Sequence, residues 1–308
     1  NLRLTQRLGK IAVFGRALIR KRNIQHMGIF TEALEKREKE ASIDAKRLPV
    51  KEPIRVIEKD AESAGIQELV RGNSFDPSLI VLSAPDSLDA ENFRNLRAQI
   101  LFPRDCEKRR VIMVTSAFPG EGKTYVASNL AVSMAMGIHE HVLLMDCDLR
   151  RPSIHSLFGY SNRVGLHEHL TGKKALGEVI IRTKIDKLSL LPVGSEIPNP
   201  AELLSSDRMR QAIAELKARY DDRFVIIDST PTQIASEASV LANYVDGIIF
   251  VVMAHRVDRD LVKESIRDLG KDKVLGIIFN GYKKSYSKYD RYYKKHYGKY
   301  YGGYCKQA

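Results

Sequence analysis

From residue 111 to residue 280 the chain alternates short apolar runs with stretches in which apolar and polar positions recur at helical spacing. The runs VIMVT (111–115), HVLLMD (141–146), LSLLPV (188–193), FVIID (224–228), GIIFVV (247–252) and VLGIIFN (274–280) are strand-sized and rich in β-branched residues. Helices are predicted over 122–137, 207–220, 235–243 and 257–269. A run that is apolar throughout suits a strand covered on both faces. Its alternation with helices predicts an α/β fold, a mostly parallel sheet with helices on both sides. Ligands of such sheets bind beyond the carboxyl ends of the strands. The chain carries no internal repeat.

The alternation defines a domain over 79–281 and leaves three other segments. Residues 1–26 carry seven basic side chains and no acid, with Leu4, Leu8, Ile11, Phe14 and Leu18 spaced for an amphipathic helix or a plain upstream extension. Residues 27–78 hold a short helix over 28–40 and a charged linker punctuated by Pro49, Pro53, Gly65, Gly72 and Pro77. Residues 282–308 hold nine of the thirteen tyrosines: Tyr282, Tyr286, Tyr289, Tyr292, Tyr293, Tyr297, Tyr300, Tyr301 and Tyr304. Lysines interleave with them, and neither a helical nor a strand period puts the rings on one face, so this tail is expected to be solvated.

The net charge of +12 sits in the two end segments, and the remainder of the chain is slightly acidic. A DNA-binding body would carry its basic face on the domain itself; basic ends suit a membrane surface or phosphorylated groups. Cys106, Cys147 and Cys305 form no CxxC pair, which argues for a reducing compartment without a disulfide framework or zinc site. No apolar run approaches the roughly 20 residues that span a bilayer. The expectation is a cytoplasmic chain with no transmembrane segment of its own.

The strand VIMVTS runs into AFPGEGKT and then a helix, the strand–loop–helix context of a P-loop. Gly120 and Gly122 let the backbone wrap phosphates, and the backbone from Pro119 through Glu121, Lys123, Thr124 and Tyr125 lies along that wrap and the helix start, with amide donors from Gly120 onward. Lys123 is the candidate to reach the β- and γ-phosphates of ATP, and the Thr124 hydroxyl to ligate Mg²⁺. Ala117 stands where the generic pattern opens on glycine. Asp228, ending FVIID, is a Walker B candidate for Mg²⁺. Asp146 and Asp148 end the strand that follows the P-loop helix, a strand expected to lie directly beside the P-loop strand.

These motifs, in this order, resemble the bacterial tyrosine kinases of capsule and exopolysaccharide synthesis, over about residues 79–308. SAFPGEGKT is similar to that family's Walker A, LLMDCDLRRPSIHSLFG to its Walker A′, VIIDSTP to its Walker B and LPVGSEIPNPAELL to its intervening segment. Thr230 stands where the family usually has a second proline. The resemblance implies ATP and Mg²⁺ as cofactors and the tail tyrosines as autophosphorylation sites. It makes Asp146 the acceptor of the phenol proton, Lys123 and Asp148 catalytic, and Asp148 and Asp228 metal-holding. It gives Glu91, Arg94 and Arg97, in ENFRNLR, the role of packing subunits into a homo-oligomeric ring. It assigns Asn280 a contact with the nucleotide base; the alternative is a turn-initiating asparagine. It also implies activation by a separate chain-length-determinant membrane protein, holding the kinase at the inner face of the membrane. A partition or division-site ATPase is the rival of the same fold, but those carry a lysine where this chain has Phe118. A tail that stacks nucleic-acid bases is a further rival, though nucleic acid is not the expected partner.

Overall fold

The computed structural model describes the backbone of residues 12–15 and residues 75–281, apart from 104, 106, 197, 198 and 220–222. Every tail tyrosine, and the short helix and most of the linker expected over 27–78, lie outside the described residues. The domain is built on one eight-stranded sheet. Its strands are β1 (Ala12–Gly15), β2 (Val111–Ser116), β3 (His141–Asp146), β4 (Ile181–Arg182), β5 (Leu188–Leu191), β6 (Arg223–Asp228), β7 (Gly247–Met253) and β8 (Val274–Asn280). The order across the sheet is β1-β8-β7-β2-β6-β3-β5-β4. The six inner strands are parallel, and the two edges, β1 on β8 and β4 on β5, are antiparallel.

Four helices of ten residues or more pack on this sheet: α1 (Leu88–Leu101), α2 (Lys123–Ala135), α3 (Asp207–Arg219) and α4 (Arg259–Asp268). The Ser87 hydroxyl starts α1 by accepting from the Ala90 amide at 3.1 Å, and the Asp258 carboxylate starts α4 by accepting from the Asp260 amide at 2.7 Å. Alternate residues of each inner strand enter opposite cores. Val111 and Met113 of β2 join Met209, Ile213 and Leu216 of α3 on one face. Ile112 and Val114 join Val126, Leu130 and Met134 of α2 and Phe93 and Leu96 of α1 on the other. Covering both faces is the physical reason these strands read as unbroken apolar runs.

Two sequence expectations are corrected. The aspartate-bearing strand β3 does not adjoin β2; β6 lies between them, pairing Val111–Val114 on one side and His141–Asp146 on the other. A right-handed crossover through α2 skips one position and leaves a slot filled by a strand made much later. Within the basic extension, Ala12–Gly15 is an edge strand opposite Gly276–Phe279, not part of an amphipathic helix. A period of three to four over few residues does not separate a short strand from a helix.

The P-loop helix α2 is buried from Val126 through Ala135, and it carries Asn129 into the core. Asn129 Oδ1 accepts from the Val81 amide at 3.1 Å, and Nδ2 donates to the carbonyls of Ser78 (2.9 Å) and Tyr125 (3.0 Å). It thereby fastens the segment before α1 to the helix that bears the P-loop. An Asn129→Leu variant should lose roughly 2–4 kcal/mol, because the Val81 amide and the Ser78 carbonyl are left buried without partners. Equilibrium urea unfolding checks this; an unchanged midpoint would mean that the segment is held by its apolar contacts alone.

Candidate functional site

The P-loop lies between β2 and α2, at the carboxyl edge of the sheet. Gly120 and Gly122 both take left-handed backbone, with φ of 79° and 92°. A Cβ on Gly122 would come within 2.0 Å of Asn280 Nδ2, so the position requires glycine for space as well as for conformation. Helix α2 opens at Lys123 without a side-chain cap, because its N-cap residue is Gly122. Its first amides are thus left to an exogenous acceptor, the arrangement that binds phosphate at a helix N-terminus.

The loop is braced from beneath. The Glu121 carboxylate is 1% exposed and accepts from the Phe118 amide at 2.7 Å and from the Met253 amide, at the end of β7, at 3.0 Å. Asn280 is equally buried; its Nδ2 donates to the Glu121 carbonyl at 2.9 Å, and its Oδ1 accepts from the Gly281 amide at 2.9 Å. Asn280 is therefore a strut under the P-loop, a role added to the base contact and the turn that the sequence offered. The Tyr125 ring meets Phe93 of α1 edge-on with centroids 5.9 Å apart, so only its backbone faces the phosphate side. Burial, and then Asp89, raise its phenol pKa well above the ordinary 10.

Three carboxylates converge on Lys123. Its Nζ donates to Asp148 Oδ2 at 2.7 Å, with the side chains only 13% and 6% exposed. Burial pulls the ammonium pKa down, but Asp228, Asp148 and Asp146 together outweigh it and hold the group charged. Asp148 Oδ1 also accepts from the Arg151 amide at 3.1 Å. Asp146 and Asp228 are opposite each other in the β3–β6 register. Asp146 is fully buried; its Oδ2 accepts from the amides of Ser153 and Ile154, both at 3.1 Å, and its Oδ1 from the Asp148 amide at 3.2 Å. Burial, followed by repulsion from Asp228, pushes its pKa up to about 8.

Asp228 is the outlier. Both carboxylate oxygens are buried and neither has a partner in hydrogen-bond geometry. The nearby Thr124 hydroxyl and Lys123 draw its pKa down, but burial dominates and leaves it raised to about 6. With only Lys123 and Thr124 near it to favour its charged form, such a carboxylate is stabilised by a further cation or by uptake of a proton. Among the described residues no group of three or more histidine, cysteine or acidic side chains could hold a metal alone. A divalent cation such as Mg²⁺, commonly bound by one or two carboxylates together with substrate phosphates, would meet the Asp228 carboxylate and the Thr124 hydroxyl here.

The loop after Asp228 is positioned by its neighbour β2. Ser229 Oγ donates to the Val114 carbonyl at 3.0 Å, and Thr115 Oγ1 donates to the Thr230 carbonyl at 2.9 Å. Thr230, which stands where the resembled family usually has a proline, is thus held to the P-loop strand. Arg150, the salt-bridging arginine of the Asp-rich motif, is half exposed and donates from Nε to the buried Glu237 at 2.8 Å. The α1 stripe stands apart from this cluster. Glu91 and Arg94 pair at 2.7 Å, Arg94 also reaches the Pro85 carbonyl at 3.0 Å, and Arg97 donates to the Ser133 carbonyl at 2.7 Å. Sequence reasoning missed the bracing role of Glu121 and the core role of Asn129; neither has a motif signal, since each acts through a single long-range amide or carbonyl.

Residues 109–256 match a family model described as an AAA domain. The chain is 36% identical over 225 residues to tyrosine-protein kinase YwqD of Bacillus subtilis (strain 168), covering 72% of this chain and 94% of that protein. It is 33% identical over 203 residues to tyrosine-protein kinase CpsD of Streptococcus agalactiae serotype III (strain NEM316), covering 65% and 85%. Among solved structures, the kinase domain of Escherichia coli tyrosine kinase ETK superposes with a TM-score of 0.64 at 31% identity, covering 72% of this chain and 88% of that one.

Proposed function

The chain belongs to the bacterial tyrosine-protein kinases of the capsule and exopolysaccharide type, and from that premise we propose that it transfers the γ-phosphoryl of ATP to the tyrosines at the end of a neighbouring subunit. One observation carries this reading. The segment with nine tyrosines leaves the domain directly after Asn280 and Gly281, and Asn280 is hydrogen-bonded to the P-loop. The acceptors are therefore tethered at the phosphate end of the sheet. A short flexible tether gives an effective concentration of about millimolar.

The chain's own residues divide the work. The amides from Gly120 to Tyr125 and the Lys123 ammonium hold the phosphates and oppose charge on the transferring group. Asp228, Thr124 and Asp148 would hold Mg²⁺, which would supply charge neutralisation. Asp146, in the ionised form that a neighbouring cation would favour, accepts the proton of the attacking phenol, whose ordinary pKa near 10 leaves it protonated at neutral pH. Asp148, which is paired with Lys123, would be a further carboxylate available to the metal. Subunits associate through the Glu91, Arg94 and Arg97 stripe of α1. A separate chain-length-determinant membrane protein activates the kinase and holds it at the inner membrane surface, and phosphorylation of the tail regulates polysaccharide synthesis and export. Among the described residues no helix is long and apolar enough to cross a membrane.

The test is intact-mass measurement after incubation with Mg-ATP and the activating adaptor. The full chain should gain several phosphates, all on residues 282–308, and a chain ending at Gly281 should gain none. Mixing that shortened, active chain as donor with a full-length Lys123→Met acceptor should label the acceptor. Absence of label in the mixture, with labelling of the intact chain alone, would move the reaction within one subunit. Each phosphate adds about −1.5 to −2 charge, so four or five reverse the tail's basic charge. A heavily phosphorylated sample should then elute as a smaller species by size exclusion, and an unchanged large oligomer would exclude a charge-driven release.

A further inference from the structure

The turn that follows β7 is built against the P-loop, and nothing in the mechanism above uses it. Glu121 ties the Met253 amide to the loop at 3.0 Å. The Ala254 amide donates to the Asn280 carbonyl at 2.8 Å, and the Arg256 amide closes the turn on the Met253 carbonyl at 3.2 Å. Between them His255 is held in left-handed backbone with φ of 62°, a conformation unusual for a residue with a Cβ. Strained residues of this kind persist only where their surroundings over-determine them, and they concentrate at ligand sites.

The strained turn delivers the Arg256 side chain to the phosphate loop. A Cβ placed on Gly120 would lie 3.3 Å from Arg256 Nη1 and 4.0 Å from both Cζ and Nη2, so the guanidinium lies along that glycine. Arg256 makes no hydrogen bond or ion pair from its side chain to another described residue. By contrast, the other cation at the loop, Lys123, is already engaged with Asp148. A triphosphate arriving there meets three carboxylates and one ammonium that is already paired. A second cation beside the glycine loop balances that deficit, and a guanidinium offers five donors in a fixed fork suited to phosphate oxygens.

We propose that Arg256 is a second cationic ligand for the phosphate chain of the bound nucleotide, held in place by the Glu121–Met253 and Asn280–Ala254 bonds. The inference rests on the reading that the P-loop holds a nucleoside triphosphate. It enlarges the site to the far side of the P-loop, on the β7 strand rather than the β3 strand.

The experiment measures binding in the full-length chain by displacement of a fluorescent ATP analogue, with Mg²⁺ present, using ATP and inorganic tripolyphosphate as competitors. Arg256→Ala should weaken both competitors roughly 10- to 100-fold, the range for a lost charge-assisted bond. Arg256→Lys should lose less. The melting temperature without nucleotide should stay at the wild-type value, because the side chain is exposed, while the rise on adding ATP should shrink. Affinity within twofold of wild type would overturn the proposal. So would a loss confined to ATP with tripolyphosphate unaffected, which would mark a base contact. A lowered melting temperature with an unchanged ATP-induced rise would make Arg256 structural and overturn it too. If the wild-type chain binds nucleotide but labels no tyrosine, the kinase mechanism fails and this assignment is judged on binding alone. If tyrosines are labelled and Arg256→Ala binds normally, only this assignment fails.

Discussion

Replacing Lys123 by methionine should reduce tyrosine phosphorylation by about 10²–10³-fold, the usual effect of removing one preorganised charge from a buried site. Two consequences follow from the geometry. In the nucleotide-bound chain the variant loses the ammonium closest to the transferring group. In the nucleotide-free chain it leaves Asp148, 6% exposed, without its partner beside two further buried carboxylates. Removing one member of a buried pair costs about 3–5 kcal/mol when the other stays charged. Here the carboxylates can instead take up a proton, so the loss should be smaller at pH 6 than at pH 8. Phosphotyrosine formed over time and thermal unfolding at the two pH values check both parts. A variant that keeps more than a tenth of the wild-type rate would remove Lys123 from the catalytic set.

The second large effect concerns Asp146. Its folded pKa of about 8 lies far above the ordinary 3.8, with burial as the main cause. A carboxyl that binds its proton more tightly when folded adds stability below its unfolded pKa, and that stability is lost as the pH rises through the folded value. The loss therefore runs from about pH 4 to about pH 8 for Asp146. Asp228, raised to about 6, acts in the same direction over the lower half of that window. Asp246 opposes them only under acid conditions. Burial alone would raise its pKa, but Lys217 and the amides of Val111 and Arg110 outweigh this and lower it. The metal-free, nucleotide-free protein should thus melt at a lower temperature at pH 8 than at pH 6.

Asp146→Asn should flatten that slope. It should also cost one hydrogen bond, because an amide cannot accept from Ser153 and Ile154 on one side and from Asp148 on the other. Phosphotransfer should fall about 10²–10⁴-fold, the usual contribution of a general base. A melting temperature that rises from pH 6 to pH 8 in the wild type would contradict the electrostatic account. Wild-type turnover in Asp146→Asn would assign the proton to another group.

Much of the fold was legible because its determinants are local. VIMVTS, HVLLMD, RFVIID and GIIFVVM lie within strands β2, β3, β6 and β7, and each is a run that only a doubly covered strand would require. The P-loop was legible from spacing, since Gly120, Gly122, Lys123 and Thr124 follow a strand and open a helix. The neighbour relations were not. Whether β3 or β6 adjoins β2 depends on pairings more than a hundred residues apart, and the apolar runs of the two strands are nearly interchangeable. The bracing role of Asn280 was hidden for a related reason. Its place after a strand offered a base contact or a turn, and only the fold reveals that Gly122 leaves room for its amide. Asp228 shows the reverse. Its position at a strand end was visible, but its two unpartnered oxygens, which argue for a metal ion, exist only in three dimensions.

The placement of β6 and β7 has a consequence for synthesis. Strand β2, which carries the phosphate loop, is flanked solely by these two, and both are translated after it by more than a hundred residues. A polypeptide interrupted before Arg223 would hold a glycine loop on a strand with no neighbour on either side, and no Asp228. Since such non-local contacts reward the chain only once their loops are closed, prematurely terminated products should remain unable to retain nucleotide.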